Sequence, residues 1–479
     1  MYHVIKSDTF RKKHGRSMGA LSPFDVGIPL IEAEDQTLEE IYYFRWHTYC
    51  QQIKETPHGF VITEFLPPVP WAGIYNTINC PAGHHFAEGR WLHDRKYLSD
   101  YAAFWFTPEA EPRKYSFWAA AAIWDACCVW GDWTVAENLY EKLKENYAAW
   151  EASHGREGGL FYQIDNYDGM EYSIGGNGLR PTINSYMYAD AIALSRIAQR
   201  LGKETEAAGF REKARVLRGL INEKLWDENA QFYKTLAENR NYELADVREE
   251  IGYIPWCWNI PEARMSAAWK FLQDENHFAA PYGPTTAERC HPDFMKVHPH
   301  ECLWNGPSWP FATTQTLTAM GNLLRNYQQN YVNRHDYYQL LHQYAACHYL
   351  EEDGQRRPFI DEDLDPFTGR WLARDILRSI DPPREDRDRG RDYNHSAFCD
   401  LVLSGLCGLR LEAGRIVADP LFTEADISWF CADGVRLGNR FVTLIWDRDG
   451  SHYGVTPGLH LLIDGEEKAF SPTVAAISC

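Results

Sequence analysis

The chain has 479 residues, with 48 Lys and Arg against 67 Asp and Glu, a formal charge of −19. A hydrophobic fraction of 45% and a charged fraction of 24% are globular values, which exclude a disordered or collagen-like chain. The acidic balance argues against nucleic acid as a partner, and the apolar runs are too short and too broken by charge for a membrane span. The unusual feature is 18 Trp with 27 Tyr and 23 Phe. Aromatic faces and carboxylates together suit a carbohydrate cleft, and a large aromatic core is the competing reading.

The N-terminus, MYHVIKSDTFRKKHGRSMG, is basic and polar and has no apolar signal-peptide core. Twelve scattered cysteines without a C-x-x-C pair read as buried free thiols, and the expectation is a cytoplasmic protein. A start left by removal of a leader would make it periplasmic or secreted. After a lead segment, 1–34, residues 37–54 are amphipathic, and a Pro-rich break, EFLPPVPWAG, follows. Helical periodicity runs through 81–105, 115–130 and 133–152. The glycine-rich passage 155–180 is not helical. Helices follow at 183–201 and 205–225, separated by Gly202, and QFYKT at 231–235 suggests a short strand. Helical signals return at 262–273, 308–326, 334–350 and 394–410, between loops that carry Trp256, Trp258, Trp304, Trp309 and Trp371. No βαβ alternation occurs, so helix pairs arranged as a ring fit better than a parallel sheet. From residue 411 short alternating runs and turns such as DRDG and DGEE predict a small antiparallel β domain. The divisions are therefore 1–34, 35–410 and 411–479.

Four loops carry candidate chemistry. Residues 160–186 hold Asp165, Asp168 and Glu171 among glycines; 300–310 read HECLWNGPSWP; 358–371 hold Asp361, Glu362, Asp363 and Asp365; and 64–91 are rich in hydrogen-bonding side chains. Cleaving a glycosidic bond takes two carboxyl groups on opposite faces of one sugar, and loops gathered at one end of a helical ring would supply them. His84 and Glu88 lie one turn apart beside His85; polar contacts to sugar hydroxyls or helix packing suit them better than a metal. His395 is a further candidate for the cleft. No metal or cofactor is expected.

Three of these stretches resemble the trehalase, α-glucosidase I and mannosylglycerate hydrolase-like group of six-hairpin glycosidases. Gly169-Met170-Glu171-Tyr172-Ser173, then Arg180, then Ile183-Asn184-Ser185-Tyr186-Met187-Tyr188, is similar to the group's G-[WM]-D-[FN]-S signature, its Arg and its L-N-[AS]-x-[LM]-Y helix. Trp304-Asn305-Gly306-Pro307-Ser308-Trp309 resembles W-R-G-P-[IV]-W, with Asn305 in place of the Arg. Residues 362–369, EDLDPFTG, resemble E-x-[YF]-[DN]-P-x-T-G. The resemblance implies an (α/α)6 barrel with a small C-terminal antiparallel β domain, an inverting mechanism, Glu171 as general acid and Glu362 as general base. Asp361 and Asp363 are the rival bases. Substrate contacts would come from Trp71, Tyr75, Asn76, His84, His85, Glu88, Asp168, Arg180, Asn184, Trp304, Asn305 and Trp309. Glu171 is one methylene longer than the group's Asp, and Asn76 stands near where the group has a substrate-binding Asp.

The reading is a glycoside hydrolase that acts on a terminal bond, in a pocket walled by the four loops. Glu362, flanked by two acids, is expected in a hydrated setting suited to orienting water. Glucosides, mannosides, L-arabinofuranosides and L-rhamnosides stay open as substrates, and so does the oligomeric state. The competing classes are a non-catalytic carbohydrate-binding protein on the same scaffold and a sugar epimerase or polysaccharide lyase of helical-barrel type, the former on pairs such as His298 and His300.

Overall fold

The computed structural model describes residues 4–5 and 22–479. The basic N-terminal stretch, and with it most of the 1–34 segment, lies outside them. Helices dominate as far as Leu406 and short antiparallel strands follow. Gln36–Gln51 begins where the Asp35 carboxylate accepts a hydrogen bond from Leu38 N at 3.0 Å, satisfying one of the free donors of a helix start. Ala119–Trp130 is apolar nearly all round, so it must be enclosed by neighbours, and it stops where Gly131 turns left-handed at φ 61°. Pro181 and Pro310 each open a helix in its first turn, where a missing N–H costs nothing.

Two elements differ from the periodicity. The stretch 81–105 is two helices, Ala82–Gly89 and Lys96–Phe104. Between them His93 turns to bond Gly27 O through its N–H at 2.9 Å and Gly434 O through its ring at 2.8 Å. Residues Glu250–Trp258, read as loop, form a long 3₁₀ helix; EIGYIPWCW contains a Gly and a Pro and has no polar face, so no helical period is visible in it.

Pro181–Arg200 packs along Glu204–Leu220 and against Ala119–Trp130 and Glu250–Trp258; the last of these packs on Pro310–Asn326. Pro310–Asn326 meets Arg334–Ala346 and Leu401–Leu406, while Phe398–Asp400 meets Ala82–Gly89 and Gln36–Gln51. The core between them is aromatic: Trp46, Trp91, Trp105, Trp150, Trp256, Trp269 and Trp371 are fully buried. Each aromatic side chain of this kind buries roughly 150–250 Å². For these residues the aromatic richness is core packing.

A five-stranded antiparallel sheet runs in the order β1 (Leu30–Ala33), β2 (Trp429–Leu437), β3 (Arg440–Asp447), β4 (Gly458–Ile463) and β5 (Glu466–Ser471). β1 pairs Leu30 with Asp433 and Ala33 with Phe430, so a strand from before the first long helix forms one edge of a sheet otherwise built from the C-terminal residues. Among the described residues no helix is long and apolar enough to cross a membrane.

Candidate active site

Loops far apart in sequence meet around one cavity of about 500 Å³. Glu64 and Trp71 come from the first loop, Glu171 from the glycine-rich one, His300 to Trp309 from the tryptophan loop and Glu362 from the acidic one. Arg384, Arg389, Tyr393 and His395 come from the segment before the last helical turn. Backbone hydrogen bonds hold the three family-like stretches together: Trp304 N donates to Glu171 O at 2.9 Å, and Ser308 and Leu364 exchange two bonds at 3.0 Å each.

Glu171 follows the single 3₁₀ turn Asp165–Asp168. Gly169 leaves that turn at φ 71°, and a Cβ there would lie 2.5 Å from Cys80 Sγ, so only glycine fits. Arg180, fully buried, braces the loop from inside. It donates to Asp168 Oδ2 at 2.5 Å, to Ser173 Oγ at 3.0 Å and to Gly176 O. Thr182 donates to the same Asp168 oxygen. Burial, with Asp165 adding to it, pushes the Glu171 carboxyl up to about 7.

Glu362 is not in a hydrated setting. It is 2% exposed, and Asp361 and Asp363 are at 0%. The neighbours are committed to structure. Asp361 takes Arg374 at 2.6 and 2.7 Å and the Glu362 N–H at 2.9 Å, and Asp363 accepts from Ala373 N at 3.1 Å in the first turn of Leu372–Ser379. Neither lines the cavity; Glu362 does. Its Oε2 accepts a hydrogen bond from the Cys302 thiol, and its Oε1 lies 3.6 Å from Arg389 Nε. Burial and then Asp361, Asp363 and Glu171 push this carboxyl well up, while the thiol opposes them.

Of the other expected contacts, Trp71, Trp304 and Trp309 line the cavity, and the last two stack at 4.6 Å with an interplanar angle of 20°. The remaining nine do not line it. Asp168 and Arg180 neutralise each other inside the wall. Asn76 folds back on its own loop, donating to Phe65 O and accepting from Val69 N, so its side chain shapes the turn. Tyr75 packs edge-on against Phe104 and His58. His84 packs behind the wall against Phe311 and Trp118, and burial pushes it down to about 3. His85 bonds Tyr101 and Asn394 O. Glu88 accepts the N–H groups of Cys399 and Asp400, starting the last helical segment. Asn184 pairs with the Phe161 backbone in both directions, and Asn305 holds Lys296 O at 2.8 Å.

The sequence reading passed over Glu64, Cys302, Arg384, Arg389 and Tyr393. Glu64 accepts from Tyr393 Oη at 2.6 Å, and burial, with Glu171 nearby, pushes it up to about 8. Both arginines are already paired: Arg389 with Glu301 and with Asp386 at 3.2 Å, Arg384 with Asp386 at 2.7 Å. The Arg- and Asp-rich run that carries them reads as solvated surface, and Glu64 is a lone acid before two prolines. Among the described residues one group away from the cavity has the donor set of a metal site, His277, Glu288 and Cys290. Arg248 lies 2.7 Å from the same Glu288 oxygen, so a guanidinium stands where a cation would sit.

A loop-walled cavity thus holds carboxyls from distant loops beside stacked tryptophans on a helical scaffold. The chain belongs to the mannosylglycerate hydrolase MGH1-like glycoside hydrolase domain family, whose model matches residues 74–396. A solved structure described as a sialidase is 37% identical, with a TM-score of 0.90 over 99% of this chain and 44% of that one. The chain thus spans less than half of that protein. GH63 mannosylglycerate hydrolase from Thermus thermophilus, in complex with Tris and D-glycerate, shares the fold at 12% identity, with a TM-score of 0.54 over 76% of this chain and 98% of that one. An uncharacterized protein of Borreliella burgdorferi is 27% identical over 114 residues, 24% of each chain.

Proposed function

We propose that the protein is an inverting, exo-acting glycoside hydrolase in which Glu171 protonates the leaving oxygen and Glu362 activates water. The observation that carries this is the asymmetry between two carboxyls on one cavity wall. Among the described residues Glu171 has no cation beside it, and it keeps its proton up to about pH 7, as an acid must. Glu362 accepts from a donor thiol on one oxygen, which opposes the burial and the neighbouring acids that push its carboxyl well up, and a guanidinium stands 3.6 Å from the other. Trp304 and Trp309 offer apolar faces to a sugar, and Glu64, protonated at neutral pH, donates to one of its hydroxyls.

The helix contacts support the scaffold this mechanism needs. We read the packing that runs from Ala82–Gly89 through Ala119–Trp130, Pro181–Arg200, Glu250–Trp258, Pro310–Asn326 and the 398–406 segment to Ala82–Gly89 as the six inner members of an (α/α)6 barrel. In this reading residues 35–410 are the catalytic unit and 411–479 a β unit closed by β1.

The glycone is a neutral sugar. Both guanidinium groups in the cavity are already paired with Glu301 and Asp386, so the carboxylate of a sialoside or uronide would have to compete for them beside four carboxyl side chains. The test is a panel of 4-nitrophenyl glycosides: glucoside, mannoside, L-arabinofuranoside and L-rhamnoside against a sialoside and a glucuronide. Turnover of one neutral member, with NMR showing the nascent sugar in the opposite anomeric form, is expected. Release from the sialoside alone would overturn the neutral glycone, a retained anomer would overturn inversion, and binding without release would make the protein a carbohydrate-binding module.

A further inference from the structure

We propose that Cys302 is a positioning residue for Glu362: its thiol donates to Oε2, which orients the carboxylate at the cavity wall and favours its charged form. This rests on reading Glu362 as the base.

The setting of Glu362 is hostile to charge. It is buried between Asp361 and Asp363, with Glu171 on the same cavity and the Tyr393 hydroxyl nearby. Each of these has its own partner or none to give: Asp361 holds Arg374, Asp363 holds Ala373 N, and Tyr393 donates to Glu64. His395 shares the wall as a neutral ring, since burial drives its pKa well down. Arg389 is the facing cation, but its Nε stands 3.6 Å off, and its other nitrogens serve Glu301 and Asp386. That leaves the Cys302 thiol as the hydrogen-bond donor to this carboxylate among the described residues.

A thiol suits the task. Burial, and then the charges of Glu362 and Glu171, push Cys302 well above the usual thiol range, so it stays S–H and remains a donor wherever the enzyme works. Its backbone is fixed, because the Cys302 N–H donates to His300 Nδ1 at 3.0 Å. Two residues on, Trp304 N holds Glu171 O at 2.9 Å. One short loop therefore touches both carboxyl-bearing segments, the base through a side chain and the acid through the backbone. It acts as a spacer between the two groups whose separation sets the stereochemical outcome.

The test is the pH dependence of kcat/KM for Cys302→Ala and Cys302→Ser on the 4-nitrophenyl glycoside that the panel shows is turned over. Its leaving group needs little protonation, so the acid limb reports the base. A hydrogen bond to an ionised group is worth about tenfold, or one pH unit. Cys302→Ala should move the acid limb up by about one unit and lower kcat/KM about tenfold below it, and Cys302→Ser should restore the wild-type limb. Melting curves confirm that each variant is folded, and Cys302→Val stands in if Ala is not. The infrared S–H stretch, isolated by difference against Cys302→Ser, should show a hydrogen-bonded thiol that Glu362→Ala frees. An unmoved acid limb in Cys302→Ala, or a free S–H stretch in the wild type, would overturn the proposal. Loss of activity in Ala and Ser alike, with a glycosylated Cys302 trapped in the wild type, would make the thiol a nucleophile. If Glu362→Gln keeps its activity, the base assignment fails first; if it is inactive while Cys302→Ala is normal, only the present inference fails.

Discussion

Replacing Arg180 by Met separates two roles that the sequence leaves open, contact with substrate and support of the loop. Both Arg180 and its partner Asp168 have side chains at 0% exposure. Removing the guanidinium leaves Asp168 a buried charge with, among the described residues, only Thr182 donating to it, and deprives Ser173 and Gly176 of their donor. Breaking a buried pair from one side costs about 3–5 kcal/mol. At about 2.1 cal/mol/K per residue, a 479-residue chain unfolds with an entropy of about 1 kcal/mol/K, so the melting temperature should fall by about 3–5 °C. Adding Asp168→Asn removes the stranded charge and should recover at least about 2 kcal/mol in a double-mutant cycle. Differential scanning calorimetry reads both. Because Glu171 lies three residues beyond Asp168 on the same loop, kcat should fall along with stability. An unchanged melting temperature with a raised KM would refute the argument and return Arg180 to the substrate.

Glu362→Gln should lower kcat by ~10²–10⁴ on the active aryl glycoside, and Glu171→Gln by as much on the matching alkyl glycoside, whose leaving oxygen needs a proton, with the fold intact in both. Since Glu171 must be protonated and its carboxyl is pushed up to about 7, activity on the alkyl glycoside should decline above that pH, and the pH profile of the Glu171→Gln variant should lose this limb. Asp190 titrates at about 8 in the folded chain against an ordinary 3.8, so the folded state holds a proton that the unfolded state has lost. Its contribution is full below about pH 4 and declines as pH rises to about 8; Asp190→Asn, which still accepts from Ala121 N, should flatten the decline in melting temperature between about pH 5 and about pH 9. Trp304→Ala should raise KM more than it lowers kcat, since a stacking face binds ground and transition states alike.

The helices were legible because most carry a one-sided apolar period or a cap, as at Asp35 and Pro181. Glu250–Trp258 was not, because an element buried on all sides has no polar face to reveal a period. At the site, Glu171 and Glu362 could be singled out because each sits in a compact, chemically dense loop. Glu64 and Tyr393 could not, since each is isolated among residues with no shared pattern, nor could Arg389, whose Arg- and Asp-rich run reads as solvated surface; only the fold brings them to one wall. The hydrated setting expected for Glu362 failed for a definite reason. Three consecutive acids look like surface until Arg374 and a helix start are seen to absorb two of them.

The pairing of β1 with β2 has a consequence for synthesis. Leu30 and its partner Asp433 are separated by roughly 400 residues, which a ribosome adds in about 20–80 s. For that interval Leu30–Ala33, an apolar strand, has no neighbour to complete it, and the helices must assemble while one edge is left waiting. An expression clone ending near residue 410 would make the wait permanent and present Leu30–Ala33 as an open template for other chains. Trimmed versions should therefore keep the C-terminal strands, or lose β1 along with them.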